Sequence, residues 1–376
     1  MATSSENMLS PLTEIPGHLL AEIFLRLPAL EDLARVSAAC VSFRRLATNG
    51  SFLRSFRRLH APLLLGFLEY GRFRPALPPH PSAPAARVLS HAADFTFSFP
   101  PSHCHWTVQD ICDGRVLLDR DTGKDVVFRD LAVCDPLHQR YVLLPPLPDD
   151  LAASVEHRVP MVRRALCKPF LVPLGTDQWQ LGKPLAASMD LSDLVSDRGD
   201  LAVLSAVSPF ILKHHYAYGC FYWDWVEFGW KKLLLLDTSK MDFSITDLPP
   251  GEWNKEGLAI VEAGEGKLGI FGFHSETASD LSYTIARNKG KSPSQWQMEK
   301  TIPLDSGYRY FIRDATQRYL LLARIEASSL NPLVGHLSMD VKTVQLQKIY
   351  EKEYYHKYAT CTYINFALSL LSSRRI

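Results

Sequence analysis

The sequence predicts an α + β multidomain protein, in which a small all-helical domain precedes an all-β, propeller-like repeat domain. Apolar residues recur at helical spacing within the first sixty residues, and short strand patterns separated by turns follow from about residue 90. A strand-and-turn pattern also repeats along that second part. The expected boundaries are 11–60 for the helical domain, 61–90 for a connecting segment and 91–376 for the β-rich domain.

The composition indicates a folded chain without a strong overall charge. The 376 residues are 47% hydrophobic, and 41 Lys and Arg stand against 40 Asp and Glu. This balance gives no general attraction to nucleic acid or to an anionic membrane. The seven cysteines include no C-x-x-C pair, and the start of the chain lacks the pattern of a signal peptide. We therefore expect an intracellular protein of the cytoplasm and/or nucleus, with neither nucleic acid nor membrane among its partners.

The helical domain is predicted from two runs of apolar residues at spacings of three and four. The first run ends in a proline and comprises Leu19, Leu20, Ile23, Phe24, Leu27 and Pro28. The second run comprises Leu33, Val36, Cys40 and Phe43. About fifty residues bury too little apolar surface for robust independent stability. A partner is therefore expected to cover an apolar face of this domain.

A proline-rich stretch separates the two predicted domains. Five of the ten residues from Pro75 to Pro84 are proline, which favours an extended conformation over a helix or a central strand. The stretch is interpreted as a semi-rigid connector or an exposed loop. A ligand for an aromatic groove is the alternative, and the spacer is favoured over it.

The repeat in the second domain centres on three aspartates that each follow a strand pattern. Asp135, Asp237 and Asp340 lie 102 and 103 residues apart. This interval predicts two blade-sized units of about 50 residues per period, with the number of blades left open. The aspartates are interpreted as caps of turns. Carboxylates of a propeller glycosidase are the less favoured alternative.

The sequence contains no convincing catalytic or metal-binding motif. Residues 264–269 match G-x-G-x-x-G, but a strand pattern follows where a dinucleotide site needs a helix, so a hairpin turn is predicted. His103, Cys104, His105 and Cys112 form the best metal-like group, although an ordinary strand edge explains them better. No catalytic residue, metal or cofactor is therefore predicted.

A dense aromatic run gives the candidate for target recognition. Eight aromatic residues lie between positions 216 and 230, and acidic residues interrupt the later part of the run. Trp225, Phe228 and Trp230 are therefore predicted to lie in a loop that contacts a target protein. Packing of the same three rings between neighbouring blades is the alternative.

The N-terminal residues also carry a specific resemblance. The helical domain resembles an F-box, in the residues Ile15-Pro16, Leu19-Leu20, Glu22-Ile23-Phe24, Arg26-Leu27-Pro28, Leu33-Ala34-Arg35, Cys40 and Phe43-Arg44-Arg45-Leu46. The remainder is similar to the C-terminal domain of plant, grass-type F-box proteins, in the residues Cys112-Asp113-Gly114-Arg115, Val133-Cys134-Asp135-Pro136, Ile260-Val261-Glu262-Ala263 and Asp340-Val341-Lys342-Thr343.

The resemblance implies a substrate-recognition subunit of a cullin–RING (SCF-type) ubiquitin ligase. Such a subunit is not itself an enzyme. Its F-box binds a Skp-family adaptor and, through it, the cullin and RING subunits, while the C-terminal domain binds a target that the sequence does not identify. The implied adaptor-binding positions are Ile15, Pro16, Leu19, Leu20, Ile23, Leu27 and Pro28. Two alternatives stay open: an F-box protein that acts outside ubiquitination, and a propeller enzyme with a helical appendage.

Overall fold

A computed structural model gives the structure of the chain. It describes residues 15–27, 30–47, 49–60, 63–69, 72–101, 105–121, 130–144, 170–173, 179–181, 214–224, 232–254, 257–274, 280–287, 295–327, 333–353 and 360–364. The chain divides into two compact units, Met1–Pro62 and Leu63–Ile376.

The first unit is helical in its described residues. Its helices are α1 (Gly17–Leu25), α2 (Leu30–Ala39), α3 (Val41–Ala47) and α4 (Gly50–Leu59). Asn49 caps α4, because its side chain accepts hydrogen bonds from the backbone N–H groups of Ser51 and Phe52. The four helices share one core, which is formed by Leu20, Phe24, Leu33, Phe43, Ala47, Phe52 and Phe56.

The second unit is mostly β, with a five-bladed, propeller-like arrangement and few helices. Its first half contains β1 (Leu64–Glu69), β2 (Arg72–Pro75), α5 (Ala83–Ala92), β3 (His105–Cys112), β4 (Arg115–Asp121), β5 (Leu131–Asp135), β6 (Arg140–Leu143), β7 (Leu171–Pro173), β8 (Trp179–Leu181), β9 (His214–Ala217) and β10 (Cys220–Asp224). Its second half contains β11 (Lys232–Asp237), β12 (Asp242–Asp247), β13 (Leu258–Glu262), β14 (Leu268–Gly272), β15 (Leu281–Ala286), β16 (Trp296–Ile302), β17 (Tyr308–Ala315), β18 (Tyr319–Glu326), β19 (Leu333–Asp340), β20 (Leu346–Glu353) and β21 (Thr360–Ile364).

The strands form five blade-like antiparallel sheets and one smaller sheet. Sheet I has the order β2-β1-β21, and the four-stranded sheets II to V are β3–β6, β9–β12, β13–β16 and β17–β20. Strands β7 and β8 pair separately. Leu171 of β7 packs against sheet II, and the adjacent Phe170 packs edge-on against Phe221 and Trp223 of sheet III. The small sheet thus packs against both sheet II and sheet III.

Sheet I joins the two ends of the propeller-like unit. Its β1 pairs with β21, so that Phe67 lies opposite Thr362. The hydroxyl of Tyr350 in sheet V donates a hydrogen bond to the buried carboxylate of Glu69 in β1 (2.8 Å). The hydroxyl of Tyr363 in β21 donates to the carbonyl oxygen of Gly114 in the β3–β4 turn (2.8 Å). Sheet I is therefore tied to both of its neighbours.

Residues expected to form a connector are part of the propeller-like unit. Strands β1 and β2 lie between residues 61 and 90, and α5 begins there, only one residue before Pro84. A proline near a helix N-terminus costs no hydrogen bond, because the first N–H groups of a helix have no intrahelical partner. Helix α5 buries Ala86 against sheet V and Leu89 against sheet II. The proline-rich stretch therefore packs against the blades at its ends, while Pro78, Pro79, Pro81 and Pro84 are exposed.

The repeated aspartates cap turns, as expected from the sequence. Asp135, Asp237 and Asp340 end β5, β11 and β19, and each carboxylate accepts hydrogen bonds from its own turn. One sheet lies between the sheets of successive aspartates, namely β7–β8 and then sheet IV. The interval from Asp237 to Asp340 therefore spans two of the five blades, whereas β7–β8 is not a full blade, so that two blade-sized units between Asp135 and Asp237 stay a prediction.

Candidate partner-binding surface

The sequence-predicted adaptor residues divide into two groups in the structure. Pro16, Leu19 and Ile23 are exposed, whereas Leu20 is buried in the helical core. Two more, Ile15 and Leu27, are partly buried against that core, and Pro28 lies outside the described residues. The structure thus separates candidate contact residues from supporting residues, a division that the sequence could not make.

Helix α1 presents two apolar stripes on different sides. Leu20 and Phe24 are four residues apart and face the core. Leu19 and Ile23 have the same spacing but are 43% and 49% exposed. Successive residues are rotated by about 100° around the helix axis, so Leu19 and Ile23, each one position before a buried residue, point away from the core. We call Pro16, Leu19 and Ile23 the α1 face.

The α1 face begins at a defined helix start. The carbonyl oxygen of Pro16 accepts hydrogen bonds from the N–H groups of Leu19 (2.9 Å) and Leu20 (3.1 Å). Pro16 itself has an extended backbone conformation, which suits the residue that precedes a helix. The proline ring and the exposed aliphatic side chains therefore follow one another along a single ordered segment.

Aromatic packing fixes α1 within its unit. The ring of Phe24 packs edge-on against Phe43 (5.2 Å between centroids) and Phe52 (6.5 Å). At the other end of α1, the Nε2–H of His60 donates to the carbonyl oxygen of Leu25 (2.9 Å), and the His60 ring stacks on Phe56 (4.0 Å). This bond satisfies one of the carbonyl groups that a helix leaves unpaired at its C-terminus. The α1 face is thus held on a rigid support.

Sequence reasoning missed other exposed apolar residues of this unit. Val41 of α3 is strongly exposed, and Leu59 lies exposed at the end of α4. Val41 is two positions before the buried Phe43, so it points away from the side of α3 that faces the core. This offset of two positions from Phe43 could have predicted from the sequence that Val41 is exposed.

The predicted target-binding residues Trp225, Phe228 and Trp230 lie outside the described residues. The early part of the aromatic run forms β9 and β10, where Phe221, Tyr222 and Trp223 are buried. Burial raises the pKa of the Tyr222 hydroxyl well above its usual range. These three rings of β10 therefore belong to the core, whereas Tyr216 of β9 is 38% exposed.

In the described residues, the metal-like and nucleotide-like motifs of the sequence do not form a site. His105 and Cys112 are at opposite ends of β3, about 23 Å apart at the usual rise per residue, while His103 and Cys104 lie outside the described residues. Within the described ranges, no three His, Cys, Asp or Glu side chains are grouped to hold a metal ion. Residues 263–267 form a hairpin turn between β13 and β14, as predicted.

Among the described helices, none combines the length and the apolar character that crossing a membrane requires.

Comparison with known proteins gives no family assignment. No family model and no curated protein matches the chain. Among solved structures, one similar chain comes from a structural and mechanistic analysis of two prolyl endopeptidases, with 9% sequence identity and a TM-score of 0.25. The match covers 68% of this chain but 29% of that one, and at this level of similarity it carries no inference about activity.

Proposed function

We propose that this protein is an F-box substrate receptor of a cullin–RING (SCF-type) ubiquitin ligase, acting in the cytoplasm and/or nucleus. In this proposal the helical unit is the F-box, and its α1 face binds a Skp-family adaptor. The propeller-like unit binds the target. The observation that carries the proposal is the exposed, rigidly supported α1 face on a small helical unit.

The α1 face has the chemistry of a protein-binding surface. Leu19 and Ile23 are 43% and 49% exposed, so burying the remaining surface of each side chain against a partner is worth about 1 kcal/mol. Because α1 is already ordered by the Phe24 contacts, little conformational entropy is lost on binding. A rigid apolar stripe of this kind fits an apolar groove on a partner protein.

In the proposed mechanism this chain catalyses no reaction itself but brings a target protein close to the enzyme that transfers ubiquitin. A receptor that holds a target beside the charged conjugating enzyme raises its effective concentration there. The catalytic step then belongs to other subunits. An F-box protein that acts outside ubiquitination would make the same adaptor contact but would not promote ubiquitin transfer.

A reconstituted ligase tests the proposal in two steps. The full chain is first titrated with a purified plant Skp-family adaptor, and saturable binding is expected. The complex is then supplied with cullin, RING protein, conjugating enzyme and ubiquitin, and transfer of ubiquitin to the receptor itself is measured against a reaction without the adaptor. Failure of adaptor binding contradicts the proposal, whereas binding without adaptor-dependent transfer favours the alternative outside ubiquitination.

A further inference from the structure

The rim of sheet I has a local charge that the whole chain lacks. Between Glu69 and Asp94 the sequence contains three arginines and no acidic residue, although the complete chain is almost neutral. The three are Arg72, Arg74 and Arg87, and all are exposed. The two arginines of β2 share one face of their strand, opposite the ring of Phe73, and Arg87 lies on α5.

Within the described part of the chain, none of these arginines forms an ion pair with a carboxylate. Glu69, which lies opposite Arg72 in the β1–β2 register, accepts a hydrogen bond from Tyr350. Elsewhere in the same unit, arginines do form such pairs: Arg120 with Asp130 and Arg318 with Asp340. The guanidinium groups of the rim can therefore donate hydrogen bonds to an external acceptor.

Apolar side chains lie exposed along the same segment. Leu77 is 48% exposed, and Val88 on α5 is 66% exposed. Four exposed prolines belong to this segment: Pro78, Pro79, Pro81 and Pro84. Exposed apolar residues accompanied by arginine have the composition of protein-binding surfaces.

The segment is held in place by buried residues between the exposed ones. The N–H of Ala76 donates to the carbonyl oxygen of Leu65 (2.9 Å), and that of Leu77 donates to Ile349 (3.2 Å). His80 is buried, and its Nδ1 accepts a hydrogen bond from the N–H of Ser82 (3.2 Å). The exposed groups are thus presented in one fixed arrangement, which lowers the entropy cost of binding.

We propose that this rim surface, defined by Arg72, Arg74, Leu77, Arg87 and Val88, docks an acidic segment of a partner protein. Carboxylates of the segment bind the guanidinium groups, whose planar donors match a carboxylate in pairs. Apolar side chains of the same segment cover Leu77 and Val88. The absence of acidic residues between Glu69 and Asp94 favours this occupant over a basic or neutral one. The inference is independent of the adaptor proposal, because it concerns residues of the second unit alone.

The probe for this surface is a fluorescein-labelled peptide of repeated Glu-Glu-Leu, titrated into the full chain at low ionic strength. The triple variant Arg72→Gln/Arg74→Gln/Arg87→Gln should bind at least about tenfold more weakly, as the loss of three charge-assisted contacts predicts. The control is Lys232→Gln/Lys240→Gln/Lys342→Gln, which makes the same charge change at exposed positions of other sheets. It should bind the peptide as the native chain does.

A second pair of measurements isolates the apolar contribution. Leu77→Ser/Val88→Ser should weaken peptide binding, and a peptide with serine in place of leucine should bind the native chain more weakly. If the arginine variant fails to fold, these two measurements still test whether the rim surface binds the peptide. Equal loss in both charge variants, no binding by the native chain, or binding to phosphatidylserine vesicles in place of the peptide would each overturn the inference.

Discussion

Asp110 and Asp314 occupy equivalent places in two sheets of the propeller-like unit. Each lies directly after a bulge in the first strand of its sheet, β3 or β17, and accepts a hydrogen bond from the N–H of the next residue (2.9 Å in both cases). The second carboxylate oxygen reaches the adjacent sheet, where Asp110 accepts from the N–H of Leu171 (2.7 Å) and Asp314 from the hydroxyl of Thr362. The two carboxylates therefore join neighbouring sheets.

We expect both aspartates to be structural. Asp110→Ala and Asp314→Ala remove the acceptor of an inter-sheet hydrogen bond, and each should lower the free energy of unfolding by about 1–3 kcal/mol. Urea denaturation of the full chain measures this change. The control Asp130→Ala removes an exposed ion pair with Arg120 and should have little effect. Equal midpoints for all three variants would contradict the structural role.

The sequence could not reveal these inter-sheet contacts. Asp110 and Leu171 are 61 residues apart, and Asp314 and Thr362 are 48 apart, so no local periodicity joins them. The turn caps were predictable, because an aspartate such as Asp237 bonds to residues within three positions of itself. Helical spacing likewise predicted α1, but it did not tell the exposed Leu19 from the buried Leu20. Strand β1 was missed because all six of its residues are buried, and such a run lacks the alternation that marks a half-buried strand.

Tyr363 should be a main support of ring closure. Its ring packs edge-on against Phe95 (5.1 Å) and Phe73 (5.6 Å), and its hydroxyl donates to Gly114. Tyr363→Phe removes the hydrogen bond alone and should cost about 1 kcal/mol. Tyr363→Ala also leaves a cavity and should cost about 3–5 kcal/mol.

The midpoints of urea denaturation of these two variants test whether Tyr363→Ala is less stable than Tyr363→Phe. The half-exposed Tyr141 of β6 provides the control, since Tyr141→Ala should change the midpoint little. A Tyr363→Ala midpoint as high as that control would show that β21 does not support the fold.

Stability should fall in mild acid because of His80. Burial, and then the nearby Arg318, lower the pKa of His80 from 6.5 to about 4. The unfolded chain therefore binds a proton at a higher pH than the folded chain does. The stability contributed by neutral His80 is complete above about pH 6.5 and is lost as the pH falls toward about 4.

Midpoints of urea denaturation between pH 7 and pH 4 measure this loss. His80→Asn keeps an acceptor near the Nδ1 position without titrating, so its midpoint should fall less steeply than that of the native chain. His91→Asn, at an exposed position of α5, should retain the native pH dependence. Identical pH profiles for the native chain and His80→Asn would rule out the role of His80.

The adaptor affinity of the α1 face tests the central proposal most directly. Calorimetric titration of the full chain with a purified Skp-family adaptor compares the native protein with Leu19→Ser/Ile23→Ser. The control Leu77→Ser/Val88→Ser changes two apolar residues of the second unit that are at least as exposed as Leu19. The α1 variant should keep the native denaturation midpoint but bind about 30-fold more weakly, as burial of the exposed halves of two aliphatic side chains predicts. Native affinity in a folded α1 variant, or equal losses in both variants, would contradict the assignment of the α1 face to the adaptor.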